Sequence, residues 1–251
     1  MGTPVDEPPP RGWKRVVPPP ARGPLRRVVR DLRRRRAARP PRLGALRRVT
    51  PIDPNWGFER GAPIDRYYIE RFVGSHAADI HGRVLEIAGD DYAVEFGTGV
   101  TSIEILHARD DNPRATIVGD LSDAPQIADG SFDCVILTQT LHFIYDAAAA
   151  LRTVHRILVP GGVLLMTVPG ITRIAPIEDE FYGDWWRYTG RSALRMTQEA
   201  FPGGTATVET YGNVLTAAGL LYGLAVRDLK PEELDAHDPL YEVIVGVRAV
   251  K

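Results

Sequence analysis

The 251-residue sequence predicts an α/β fold: a doubly wound, mostly parallel sheet with an antiparallel edge strand. Three observations carry this. Apolar runs of strand length stand at 83–87, 100–105, 115–119, 133–138 and 162–168. They are separated by connectors and helix-spaced segments rather than by two-residue turns, which is the spacing of parallel strands joined by crossovers. From residue 193 onward the order reads helix, strand, helix, strand, ending on an apolar run suited to an antiparallel place at the sheet edge.

The elements follow in order. Residues 1–50 form a proline-punctuated basic arm: residues 11–50 hold fifteen Lys/Arg against Asp31 alone, and residues 51–251 are left with a formal charge of −13. Within the arm, Leu25, Val28, Val29 and Leu32 share a helical face, so one short amphipathic helix is expected in a loosely ordered segment. Such an arm suits RNA or an anionic surface, and equally a solvated tail that packs on its own acidic body.

Residues 51–251 read as one domain. Ile64, Tyr68 and Phe72 have helical spacing ahead of the first strand, and "DAAAALRTVHRIL" is helical by its alanine content and its Leu151, Val154, Leu158 spacing. Only thirteen residues run from Ala88 to Val100, which limits the first crossover helix to about one or two turns. The single cysteine, Cys134, lies in the apolar run "FDCVIL", so no disulfide framework or cysteine-rich metal site can form within the chain, and a cytoplasmic setting is expected. No run reaches the roughly 18 apolar residues of a membrane span. No His/Glu pair at helical metal spacing appears, so no metal site is expected.

Four blocks, in this order, resemble the class I S-adenosylmethionine-dependent methyltransferases of small-molecule type: "VLEIAGDD", "SIEILH", "IVGDLSDAPQIADGSFDCVILTQTLHFIYD" and "LRTVHRILVPGGVLLMTVPG". The resemblance spans about residues 60–250, implies a Rossmann-like sheet, and implies S-adenosyl-L-methionine as cofactor. One departure stands out. Where that family shows a glycine-rich turn, this chain has Ala88, Gly89, Asp90, Asp91 and Tyr92. Two acids there repel a pyrophosphate but suit a ligand carrying a sulfonium and an ammonium group. The "GTG" at 97–99 precedes a strand, whereas a dinucleotide fingerprint must follow one.

By that resemblance, Glu86 accepts from the amino group of the cofactor, with Ala88 and Gly89 forming the turn beside it; capping of the next turn is the alternative for Glu86. Glu104 takes the ribose hydroxyls or is an exposed strand acid, and Asp120 with Leu121 reads the adenine or begins a turn. Thr138 and Gln139 line the transfer channel at the end of the fourth strand. His142 is the candidate general base, with support of its own loop as the alternative. Tyr67, Tyr182, Trp185 and Trp186, in two aromatic-rich segments, are candidate walls of an acceptor site or else hydrophobic anchors that hold their loops on the sheet. The implied activity is methylation of an oxygen or nitrogen of a small molecule, with a sugar-containing or an aromatic natural product compatible. A non-catalytic member of the fold and an RNA methyltransferase using the basic arm are the alternatives. The acidic body and the lack of an Asn/Asp-Pro-Pro-aromatic turn count against nucleic acid.

Overall fold

Both faces of the central sheet are covered, which is why its inner strands read as unbroken apolar runs. The computed structural model describes residue 44 and residues 47–251. The amphipathic helix expected around residues 25–32, and nearly all of the arm of residues 1–50, lie outside the described residues. Residues Val49–Lys251 form one compact unit.

Its elements run α1 (Ile64–Ser75), β1 (Gly82–Ile87), α2 (Asp91–Phe96), β2 (Val100–His107), β3 (Ile117–Val118), β4 (Phe132–Thr138), α3 (Ala147–Ile157), β5 (Leu158–Pro169), α4 (Pro176–Tyr182), α5 (Gly190–Ala200), β6 (Thr205–Tyr211), α6 (Val214–Tyr222), α7 (Pro231–Asp235) and β7 (Ile244–Val250). The sheet order is β3-β2-β1-β4-β5-β7-β6. Strands β1 to β5 pair in parallel, and β7 pairs antiparallel with both β5 and β6. The antiparallel closing strand therefore sits one place in from the edge, and β6 takes the edge itself.

Alternation along β4 divides the core. Val135 and Leu137 pack with Leu151, Val154 and Met166 on the α3 and α5 face, whereas Cys134 and Ile136 pack with Ile64, Tyr68 and Phe72 of α1 on the other. Phe72 lies so close to β7 that a Cβ on Gly246 would fall 2.4 Å from its ring, so glycine is required there for α1 to reach the sheet.

Three boundaries differ from the sequence reading. β5 begins at Leu158, four residues before the expected 162, and the helix expected to include Leu158 ends at Ile157. β2 runs on to His107, and β3 shrinks to Ile117–Val118; just before it the Thr116 hydroxyl, not its carbonyl, accepts the Ile105 N–H at 2.9 Å. Asn112 and Pro113 turn the β2–β3 connection, and no helix forms between residues 108 and 116.

Candidate functional site

A cleft of about 1250 Å³ opens at the carboxyl ends of β1, β2, β3 and β4. This is where open parallel sheets bind ligands. Three non-glycine residues among those described have a left-handed backbone, Trp56 (φ 51°), Ala88 (φ 67°) and Gln139 (φ 45°), and all three line this cleft. Each such conformation costs about 1–2 kcal/mol, and strain of this kind gathers at functional sites. Eight carboxyl groups line the cleft, among them Asp65, Glu86, Asp91, Asp111 and Asp120, against two guanidinium groups, Arg66 and Arg173.

At the end of β1, Glu86 is 2% exposed. Its carboxylate accepts the backbone N–H of Tyr92 at 3.2 Å and of Ala93 at 2.8 Å, which anchors the first turn of α2. Burial raises its pKa from 4.5 to about 7. Glu86 thus lines the cleft and caps the next helix at once. Ala88 and Gly89 follow in the cleft wall. Ala88 keeps the left-handed conformation natural to glycine, and its carbonyl accepts from Asn112 Nδ2 at 3.0 Å. The two turn acids, expected to face the ligand together, separate: Asp90 is held by Arg114 and is not part of the cleft wall, while Asp91 lines it, 3.5 Å from the same guanidinium.

Glu104 is not brought to the cleft. It sits in mid-strand opposite Leu85, because β2 continues three residues further to His107. The segment that follows brings His107 and Asp111 to the cleft instead, with Asp111 3.4 Å from His107 Nδ1 and 2.8 Å from Arg109 Nε. After β3, Asp120 and the buried Leu121 line the cleft. One oxygen of Asp120 accepts from both the N–H and the hydroxyl of Ser122 at 2.8 Å, so it also shapes its own turn.

At the end of β4, Thr138 and Gln139 line the cleft, and the Gln139 N–H extends the ladder to Thr167 O at 2.9 Å. His142 follows in the 3-10 turn Leu141–Phe143. It is 5% exposed, burial lowers its pKa to about 4, and Nδ1 has no hydrogen-bond partner, so the ring is neutral at pH 7. Its carbonyl accepts the N–H of Trp185 at 3.0 Å, docking the segment after β5 onto this turn. A buried carboxylate secures that segment: Asp184 accepts from Arg187 at 2.5 and 2.9 Å and from the Ala175 N–H at 3.0 Å. Arg187 in turn donates to Arg173 O at 2.8 Å.

Of the four aromatic candidates, Tyr182 and Trp185 line the cleft. Trp186 does not; its indole N–H donates to Tyr145 O at 3.2 Å and its ring tilts against Tyr145. Tyr67 does not either, and its hydroxyl donates to Asp235 at 2.7 Å. Helical geometry explains the latter: Asp65, Arg66 and Ile69 make the cleft-facing stripe of α1, and Tyr67 falls outside it. That stripe, Asp111, the Asn112 and Arg114 clamp, and the Asp184–Arg187 pair are parts of the site that sequence reading missed. Only the stripe had a sequence signal, positions 65 and 66 lying four and three residues before position 69.

Residues 78–166, from just before β1 into β5, match a family model described as a methyltransferase domain. In structure the chain is similar to an S-adenosylmethionine-dependent methyltransferase from Mesorhizobium loti, at 18% identity over 76% of this chain and 99% of the other, with a TM-score of 0.50. It is likewise similar to a SAM-dependent methyltransferase from Archaeoglobus fulgidus, at 13% identity over 79% and 100% of the two chains, TM-score 0.50. No curated protein matches it significantly in sequence. At these identities the likeness shows the fold.

Proposed function

On the premise that residues 78–166 are a methyltransferase domain in the class I S-adenosylmethionine-dependent methyltransferase fold, we propose that the protein methylates an oxygen or nitrogen of a small molecule, with S-adenosylmethionine as donor. The observation that carries this reading is the acidic cleft at the carboxyl ends of β1 to β4. Six of its eight carboxyl groups, leaving aside Asp184, which Arg187 neutralises, and Glu86, whose oxygens serve α2, complement a ligand with a sulfonium and an ammonium group and oppose one with phosphates.

The residues fit that cofactor. Glu86, Ala88 and Gly89 form the wall for its amino-acid end, where Arg66, donating to Tyr92 OH at 2.5 Å, supplies a cation for the carboxylate. Asp111, rather than Glu104, offers a carboxylate for the ribose, and Asp120 with Leu121 borders the adenine. Thr138, Gln139 and His142 line the same cleft. When bound, the cofactor supplies an electrophilic methyl group, for which alignment of the reactants contributes more than acid-base help. His142, held neutral by burial, can accept a hydrogen bond from the acceptor's O–H or N–H and so orient it, while a pKa of about 4 leaves the proton itself to pass on to solvent. Tyr182 and Trp185 belong to the acceptor wall, which the Asp184–Arg187 pair keeps in place.

Calorimetric titration with S-adenosylmethionine, followed by mass-spectrometric detection of methylated products from a small-molecule panel, tests the reading. A non-catalytic member of the fold is the second reading. It draws support from Glu86, whose oxygens serve α2, and from Glu104, which stands outside the cleft. It requires cofactor binding with no transfer to any acceptor. RNA is the weaker acceptor, since the carboxylates around the cleft repel a polyanion.

A further inference from the structure

We propose that the acceptor half of the cleft is a subsite for an uncharged molecule with a bulky apolar skeleton, rather than for a sugar, a phosphate ester or a nucleic acid. The inference rests on the methyltransferase reading above and names its substrate class.

Five large apolar side chains line this half, Phe58, Tyr145, Ile177, Phe181 and Trp185, and each remains 51–68% exposed. They come from three separate stretches: the turns before α1, the residues after the 3-10 turn at 141–143, and α4 with the segment behind it. Singly exposed apolar residues are ordinary, but several converging on one cavity wall mark a binding surface.

α4 makes the case most clearly. No residue of this helix is buried, yet Ile177 and Phe181 stand four apart on one face and both border the cavity. A helix with an unpartnered apolar stripe is not stabilised by packing of its own. Here it is held by its ends, through the Ala175 N–H on Asp184 and the Asp184 N–H on Asp179, and by Arg109, which lies 4.6 Å above the Phe181 ring. The stripe is thereby fixed in place facing open space of the right size. Pockets for one drug-sized ligand run to about 300–1,000 Å³, so about 1250 Å³ leaves room for a second molecule beside a bound cofactor.

The polar groups nearby set the charge of the guest. Asp184 is neutralised by Arg187, His142 is uncharged, and Arg173 lies over the face of Trp56 at 3.6 Å with its donors on Pro54 O and Ile174 O. Carboxylates outnumber guanidinium groups on this wall, and Asp65, Asp146 and Glu178 oppose an anion. Phe58, Tyr145, Ile177, Phe181 and Trp185 present mainly carbon, so the area they offer is covered more favourably by an apolar skeleton than by a hydroxylated one.

The test is calorimetry on the full chain, saturated with S-adenosylhomocysteine, titrated with 2-naphthol, 2-naphthyl phosphate and glucose. The expected result is binding of 2-naphthol, at least tenfold weaker binding of its phosphate ester, and no heat with glucose. Ile177→Asp and Phe58→Ala, both at exposed positions, should each weaken 2-naphthol at least fivefold while melting temperature and S-adenosylhomocysteine affinity hold. No binding of 2-naphthol, equal or tighter binding of the phosphate ester, measurable binding of glucose, or unchanged 2-naphthol affinity in both variants overturns the proposal. The S-adenosylhomocysteine titration stands apart: if it fails while 2-naphthol binds, the methyltransferase reading falls and the apolar subsite remains.

Discussion

The buried carboxylate of Glu86 accepts the backbone N–H of Ala93 at 2.8 Å, tying the last turn of β1 to the first turn of α2 across the acidic segment between them. Two groups on the cleft wall titrate abnormally as a result of burial, and in opposite senses. Glu86 rises from 4.5 to about 7, and His142 falls from 6.5 to about 4.

These shifts have opposed effects on stability. Between pH 4.5 and 6.5 the folded chain keeps a proton on Glu86 that the unfolded chain releases, so this group makes stability fall as pH rises. Over the same window folded His142 lacks a proton that the unfolded chain holds, so it makes stability rise. Each slope is up to about 1.4 kcal/mol per pH unit, and the two nearly cancel in the native sequence. Relative to it, Glu86→Gln should gain stability with rising pH and His142→Asn should lose it. Urea denaturation across this window reads both, and three parallel profiles would show that neither shift exists.

Ala88 holds a conformation, φ 67°, that glycine adopts without strain. Ala88→Gly should raise stability by about 1 kcal/mol, the relief of a left-handed non-glycine residue less the added chain entropy. The β-branched Ala88→Val should lower it. A lower urea midpoint for the glycine variant than for the native chain would contradict the assigned backbone.

Asp184→Asn should cost about 2 kcal/mol. Removing one partner of a fully buried pair costs about 3–5, and the Arg187 side chain, 27% exposed, recovers part of that in water. The same change should weaken binding at the proposed acceptor half more than at the cofactor half, because the segment it anchors, 173–187, lines the part of the cleft proposed for the acceptor. Calorimetry with S-adenosylhomocysteine and with 2-naphthol separates the two.

Asp111→Ala should weaken S-adenosylmethionine at least tenfold, about 1.5 kcal/mol, the scale of one charge-assisted hydrogen bond. Glu104→Ala should leave affinity within twofold, since Glu104 pairs with Leu85 inside the sheet. The reverse order would return the ribose to Glu104.

The contrast between Glu104 and Asp111 marks where sequence reading stops. The strands were legible because burial on both faces writes them as apolar runs, and the short α2 because thirteen residues permit nothing longer. Cleft residues at strand ends, such as Glu86, Thr138 and Gln139, were legible for the same reason, since a strand's end fixes its place at the sheet rim. Positions that depend on register or on side-chain reach were not. The two further residues of β2 move its carboxyl end from the apolar run to His107. Tyr67 and Trp186 were read from aromatic density, which does not say which side of a helix or loop meets the cavity. Arg114, which clamps Asp90, lies 24 residues away in the chain and leaves no local signal.

The central claim is that the acidic cleft holds a cation-bearing methyl donor and not a dinucleotide. Competitive calorimetry of the full chain with S-adenosylmethionine and NAD tests it most directly. The expected result is S-adenosylmethionine binding with a Kd of about 1–100 μM, roughly −8 to −5.5 kcal/mol, and NAD binding too weak to displace it. Tight binding of NAD, or none of S-adenosylmethionine, would contradict it.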